Sequence, residues 1–169
     1  GLPAAADGVL TSGGSLGNLT ALLAARQARA GFDVWRQGGS AGPPLAILAP
    51  AQTHYCIRRA AAILGLGGEG VFEVAVDERF RLRPADLPRA LEAARRAGRH
   101  VFAVVASAGS TATGSFDPLA ATAEFCAAHG LWLHVDGAHG GAAALSPQTR
   151  GLVAGIERAD SVVVDAHKM

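Results

Sequence analysis

The residue whose chemistry stands out first is Lys168. Of the 15 basic residues in the 169-residue chain, it is the only lysine, and the others are all arginine. Arginine can replace lysine as a charge but not as a neutral amine nucleophile. Lys168 follows an apolar run, where partial desolvation would lower the pKa of its amine and favour covalent chemistry. Coding bias toward arginine, with Lys168 as an ordinary surface lysine, is the alternative.

A glycine-rich segment could bind an anion. Residues 11–18 read Thr-Ser-Gly-Gly-Ser-Leu-Gly-Asn, between a predicted strand and a predicted helix. Gly14 leaves backbone N–H groups accessible, and Ser15 adds a hydroxyl and could cap the helix. The positive end of a helix dipole at this place suits a phosphate. The Gly-Lys-Ser/Thr ending of a mononucleotide P-loop is absent, and a tight turn without any ligand is the alternative.

Two further polar sites directly follow predicted strands. His54 could stack on an aromatic ring, although a solvated histidine in the first turn of a helix would look the same. Ser107 opens a loop of small and hydroxyl residues, 107–114, that would let a ligand approach the backbone. An ordinary polar loop is the alternative there.

Asp136 ends a strongly apolar run. A buried carboxylate is costly unless it meets a cation or good donors, and a protonated pyridinium nitrogen would be such a partner. Gly137 and Ala138 would leave space for a flat ring beside it. A carboxylate that caps a turn is the alternative. Taken together, these sites are the parts needed to hold a phosphorylated pyridine aldehyde.

The elements that must position these residues alternate between strand and helix. Helical patterns start near Ser15, near Thr53 as an N-cap, near Asp86 and at Asp117-Pro118, with a fifth over 147–155 and a glycine-rich loop over 31–44. This order favours a mainly parallel α/β sheet with helices on both faces, where ligands bind beyond the carboxyl ends of the strands. The predicted strands are residues 8–11, 45–49, 71–76, 100–106, 131–135 and 161–165.

Composition excludes several classes of protein. Half of the residues are hydrophobic, 17% are charged and the net charge is +1, so nothing indicates a nucleic-acid or membrane partner. We expect Cys56 and Cys126 to be reduced thiols in a cytoplasmic protein. The chain lacks an initiating methionine and stops directly after a strand-like run, so we expect a piece of a longer protein.

The chain resembles the group II pyridoxal-phosphate-dependent amino-acid decarboxylases. The resemblance covers nearly the whole chain. His54 belongs to it, and the other motifs that carry it are Thr-Ser-Gly-Gly-Ser at 11–15, Gly-Ser-Phe-Asp-Pro at 114–118, His-Val-Asp-Gly-Ala at 134–138, and Ala-Asp-Ser at 159–161 leading to Asp-Ala-His-Lys at 165–168.

The resemblance implies a fold-type-I large domain and a role for each matching residue. Lys168 would hold pyridoxal 5'-phosphate (PLP) as a Schiff base, and Asp136 would pair with the ring nitrogen. The ring would lie between His54 and Ala138. The phosphate would meet Gly14, Ser15 and His167, and Ser107 stands near the cofactor where the family usually has threonine.

The implied reaction is the decarboxylation of an L-amino acid to an amine and CO₂ in a homodimer. Residues 1–169 would be part of the large domain, without the N-terminal segment, the small C-terminal domain or a mobile loop that carries a catalytic tyrosine. The substrate side chain is not readable from these residues.

Three alternatives stay open. Another fold-type-I reaction, such as decarboxylation coupled to aldehyde formation, would use the same ring-binding residues. A metal-dependent hydrolase could use His134, Asp136, His139, Asp165 and His167, whose spacings suit metal ligands. A non-enzymatic protein that keeps the fold is the third.

Overall fold

Short apolar runs become the strands of one sheet. The computed structural model describes residues 2–168, in which five parallel strands are ordered β2-β1-β3-β4-β5. Most of their residues are buried, as expected for strands covered on both faces. The strands are β1 (Leu45–Pro50), β2 (Val71–Val74), β3 (His100–Ser107), β4 (Trp132–Gly137) and β5 (Ser161–Val164).

Helices cover both faces of the sheet, as predicted. One apolar cluster joins helices α1 and α3 to side chains such as Ile47 and Phe102. A second cluster joins α4 and α5 to Leu48 and Val104, which point to the opposite face. The α-helices of the described residues are α1 (Gly14–Arg29), α2 (Val34–Gln37), α3 (Tyr55–Ile63), α4 (Leu87–Arg96) and α5 (Leu119–His129).

Two predicted elements are wrong. Residues 8–11 form no strand: Val9 is 76% exposed and Leu10 is fully exposed, so this apolar run lies beside the sheet without pairing to it. The helix predicted over 147–155 is replaced by short 3-10 turns, one of them over Arg150–Val153. Gly155 has a φ of 96°, a left-handed conformation that breaks a helix, and a Cβ there would clash with the Ala120 nitrogen. The loop predicted over 31–44 contains the short helix α2, which the Asp33 side chain caps.

The strand order positions the polar residues that follow the strands. The chain crosses from β1 to β2 on one side and then returns to β3 on the other side of β1, so the order reverses there. A crevice at such a reversal is where parallel sheets bind ligands. Register places Ser107 beside Asp136 across β3 and β4. Within residues 2–168, no helix is both long and apolar enough to cross a membrane.

Candidate active site

A cavity of about 350 Å³ opens at the carboxyl ends of β1, β3 and β4, beside the start of α1. Its volume falls in the range of small-molecule sites, roughly 300–1,000 Å³. The structure brings together every residue that the sequence singled out as a cofactor contact, although contact with a cofactor stays a prediction. These lining residues are Gly14, Ser15, His54, Ser107, Asp136, Ala138, His167 and Lys168.

The start of α1 is open to the cavity. Gly13 is the N-cap, at φ 139°, and no side chain caps this end, so the prediction that Ser15 is the N-cap is wrong. The N–H groups of Leu16 and Gly17 donate to the Gly13 carbonyl oxygen at 3.1 and 3.0 Å, which leaves those of Gly14 and Ser15 without an acceptor in the helix. Ser15 is exposed at this end. A Cβ added to Gly14 would lie 3.0 Å from the Cβ of Ala138. The missing side chain therefore lets the helix end meet the turn after β4.

His54 forms the wall next to β1. It is the N-cap of α3, and its Nδ1 accepts a hydrogen bond of 3.3 Å from the backbone N–H of Cys56. The predicted cap, Thr53, is two residues before the helix, and its buried hydroxyl has no hydrogen-bond partner. The bond to Cys56 restrains the half-buried His54 ring at the cavity wall.

Ser107, the last residue of β3, is fixed by a buried carboxylate. Its backbone N–H donates to Oδ2 of Asp117 at 2.7 Å, and the Asp117 N–H donates to the Ser107 carbonyl at 2.9 Å. The other carboxylate oxygen, Oδ1, accepts from the Leu82 N–H at 2.7 Å. Burial raises the pKa of Asp117 to about 6, although these two backbone donors oppose the shift. The Gly-Ser-Phe-Asp-Pro motif thus ties the end of β3 to a surface loop.

Asp136 lies at the floor of the cavity. It is 9% exposed, Oδ2 accepts from Asn18 Nδ2 at 3.0 Å, and Oδ1 accepts from the Ala138 N–H at 3.2 Å. An ionised carboxylate offers about four acceptor positions, so it can accept a further donor from the cavity. The expectation that Gly137 makes room for a ring is wrong. A Cβ there would meet the Val163 carbonyl oxygen at 2.9 Å, so Gly137 serves close backbone packing.

Asn18 and Cys56 line the cavity and were not predicted. Asn18 is 1% exposed, and its Nδ2 also donates to Cys56 Sγ at 3.2 Å. Burial raises the pKa of the Cys56 thiol. A signal existed in the sequence, because Asn18 shares the buried face of α1 with Leu22 and Ala25 at helical spacing. A polar residue on that face needs a partner.

Lys168 and His167 lie on the open side of the cavity. Both are exposed in the described part of the chain, so the partial burial predicted for Lys168 is wrong there. The physical reason is that the chain leaves the sheet at Val164, and residues 165–168 run along the outer wall. His167 Nδ1 lies 2.5 Å from Asp165 Oδ1. Burial of Asp165 raises its pKa, but the hydrogen bonds from His167 outweigh this and hold the pKa below its usual range.

The metal-site alternative loses its support. Among residues 2–168, no three His, Cys, Asp or Glu side chains meet in a group that could hold a metal ion. His134 is buried and bonded to Asn18 and Ser161, whereas His139 is exposed.

Known relatives share both sequence and fold with the chain. Rat cysteine sulfinic acid decarboxylase is 46% identical over 163 residues, which cover 96% of this chain and 33% of the relative. A mouse acidic amino acid decarboxylase is 43% identical and is covered over 30% of its length. The crystal structure of mouse CSAD in apo form aligns with a TM-score of 0.92 at 46% identity, over 96% of this chain and 34% of that chain.

A more distant structure agrees. The glutamate decarboxylase domain of diaminobutyrate-pyruvate transaminase and L-2,4-diaminobutyrate decarboxylase from Vibrio parahaemolyticus aligns with a TM-score of 0.88 at 32% identity, over 99% of this chain and 37% of that chain. These alignments confirm the predicted fold class, and the chain spans about a third of the length of such relatives. The family model described as the pyridoxal-dependent decarboxylase conserved domain matches residues 1–169. The chain therefore belongs to the family of pyridoxal-dependent decarboxylases.

Proposed function

We propose that the protein containing this chain is a PLP-dependent decarboxylase that converts an L-amino acid into an amine and CO₂. The observation that carries the proposal is the joint placement of Lys168 and Asp136 on one cavity, beside the uncapped start of α1. A phosphorylated pyridine aldehyde needs three contacts: an amine for the aldehyde, a carboxylate for the ring nitrogen and N–H donors for the phosphate. Lys168, Asp136 and the start of α1 would supply them in that order.

The residues present fit PLP. The N–H groups of Gly14 and Ser15 lie at the uncapped start of α1, on the cavity, where they can donate to a phosphate. The Asp136 carboxylate faces the cavity with acceptor capacity left over for a protonated ring nitrogen. Lys168 is the only primary amine side chain of the sequence. When bound, PLP would supply an aldehyde that bonds an amine and a ring that accepts electrons from the bond broken at Cα.

The chain's own residues would then bind the phosphate, orient the ring and hold a proton on the ring nitrogen. Gly14 and Ser15 N–H groups would donate to the phosphate, together with the exposed imidazole of His167. Asp136 would keep the proton on the ring nitrogen, since an adjacent carboxylate favours the charged form of the ring. The ring would lie between His54 and Ala138, with Ser107 beside it and Lys168 as the covalent anchor.

An acidic side chain is the first substrate class to test. The relatives that are 40–46% identical are named cysteine sulfinic acid decarboxylase and acidic amino acid decarboxylase. An aldehyde-forming reaction is the second candidate, because the structure of Rhodiola rosea 4-hydroxyphenylacetaldehyde synthase aligns with a TM-score of 0.79 at 31% identity. Both reactions would use the same cofactor residues.

We propose a cytoplasmic homodimer in which residues 1–169 form part of the large cofactor-binding domain. Light scattering of the full-length protein tests the dimer, and a monomer that retains full activity would contradict it.

The activity is tested with the full-length protein loaded with PLP and supplied with a panel of L-amino acids. We expect stoichiometric CO₂ and the matching amine from at least one acidic amino acid. Aldehyde and ammonia in place of the amine would assign the second candidate reaction. No CO₂ from any amino acid of the panel would contradict both reactions.

A further inference from the structure

A chain of four hydrogen bonds runs through the protein to Asp136. The indole Nε1 of Trp132 lies 2.8 Å from Ser161 Oγ, which lies 2.9 Å from His134 Nδ1. His134 Nε2 lies 2.7 Å from Asn18 Oδ1, and Asn18 Nδ2 lies 3.0 Å from Asp136 Oδ2. Of these residues, only Asn18 and Asp136 line the cavity.

The sequence builds this chain from three elements. Trp132, His134 and Asp136 alternate along β4 and therefore share one face of the sheet. Ser161 is the register partner of His134 on β5. Asn18 comes from α1, which packs close to the sheet at Gly17, where a Cβ would lie 3.2 Å from a Val163 methyl group.

The direction of every bond follows from its two ends. An indole N–H can only donate, so Ser161 Oγ accepts from Trp132 and has its own proton left for His134. The Asp136 end fixes the remaining directions, because an ionised carboxylate can only accept and the Asn18 NH₂ group must therefore face it. The Asn18 carbonyl oxygen then accepts from His134 Nε2. In a neutral ring with its proton on Nε2, Nδ1 is unprotonated and accepts from Ser161 Oγ.

Burial strengthens this arrangement. His134 is fully buried, and burial lowers its pKa to about 4, although the nearby Asp136 opposes the shift. The ring is therefore neutral at pH 7, as the bond directions require. Asn18 has both N–H groups engaged, one with Asp136 and one with Cys56. Its amide cannot titrate, so it separates two titratable groups while it holds both in place.

We propose that Asn18 is a positioning residue that aims the Asp136 carboxylate at the ring nitrogen of the cofactor, and that Trp132, Ser161 and His134 determine which way Asn18 faces. This role rests on the proposed PLP-dependent function. Aligned donors polarise one another in a low-dielectric interior, so the far end of the chain contributes to the strength of the last bond. Without Asn18, Asp136 would lose its side-chain donor and its fixed orientation.

The test compares two ligands of nearly equal shape in full-length protein stripped of cofactor. One is PLP, and the other is its analogue with carbon in place of the ring nitrogen. Asn18→Leu keeps the branched shape and removes the donors. We expect it to weaken the binding of PLP about tenfold, the effect of a lost hydrogen bond to a charged group, with little change for the carbon analogue. Equal effects on both ligands, including no effect on either, would overturn the role.

Two further variants keep the test decisive. Thr122 lies on α5, on the opposite side of the sheet from Asn18, and its buried hydroxyl donates to the Pro118 carbonyl oxygen. Thr122→Val removes this hydroxyl and should change neither affinity. Trp132→Phe removes only the indole donor and should weaken PLP selectively, by less than Asn18→Leu does. If Asn18→Leu does not fold, Trp132→Phe decides, and an affinity for PLP equal to that of Thr122→Val would overturn the role.

A spectroscopic readout needs no cofactor. In wild-type protein labelled with ¹⁵N-histidine, we expect His134 to carry its proton on Nε2 and none on Nδ1 at pH 7. A proton on Nδ1 would contradict the bond directions. Wild-type protein that binds neither ligand would overturn the proposed function and this role with it, whereas binding of PLP with equal losses in Asn18→Leu would overturn this role alone.

Discussion

Replacing Gly14 by alanine tests whether the start of α1 and the turn after β4 form two walls of one cofactor site. The added Cβ would lie 3.0 Å from Ala138 Cβ, closer than an ordinary contact, which begins at 3.4 Å. Either the helix end or Ala138 must then shift by a few tenths of an ångström. In both cases the distance changes between the start of α1, where the phosphate would bind, and Ala138, against which the ring would lie. We expect the PLP affinity to fall about tenfold, because a charge-assisted hydrogen bond is weakened.

Stability should not follow affinity in this variant. Alanine favours a helix over glycine by roughly 0.5–1 kcal/mol, which offsets part of the local strain. The matched control is Gly151→Ala, where an added Cβ meets nothing within 4 Å. Dissociation constants for PLP come from equilibrium dialysis of stripped full-length protein. A Gly14→Ala variant that binds PLP as tightly as Gly151→Ala does would refute the reasoning.

Three further predictions concern buried groups. Because burial lowers the pKa of His134 to about 4, its contribution to stability is complete above pH 6.5 and is lost as the pH falls toward 4. The free energy of unfolding should therefore fall by about 2 kcal/mol by pH 5. Urea unfolding of the wild type measures this loss, and an equal loss in His134→Gln would contradict the prediction. Asp117→Asn leaves one acceptor for the N–H groups of Leu82 and Ser107, so one of these amides should exchange its hydrogen about tenfold faster; unchanged exchange at both would contradict the clamp. Asp136→Asn should lower kcat sharply, because a neutral amide cannot hold the proton on the ring nitrogen, and normal turnover would contradict the ring-nitrogen role.

Much of the fold could be predicted because its signals are local. Continuous apolar runs and helix-ending glycines recur along the chain, and strand ends in parallel sheets collect ligands. That is why Asp136 and His54, far apart in sequence, could be assigned to one cavity. Residues 8–11 show where this fails: an apolar run predicts a strand only if a neighbouring strand accepts its hydrogen bonds, and Leu10 instead lies fully exposed.

The rest of the site depends on contacts that no local pattern encodes. Asn18 meets Asp136 and His134 across more than a hundred residues of sequence. Its place on the apolar face of α1 indicates that it needs a partner but not which one. The caps were misassigned for a related reason, since Gly13 and His54 compete with nearby hydroxyl residues whose side chains satisfy the same rule.

The central claim is that Lys168 anchors the cofactor, and one measurement tests it most directly. Full-length protein loaded with PLP is reduced with borohydride, digested, and mapped by mass spectrometry beside Lys168→Arg, which keeps the charge but not the amine. We predict the cofactor mass on the peptide that contains Lys168 and no adduct in the variant. An adduct on any other residue of the wild type, or one that survives in Lys168→Arg, would contradict the account.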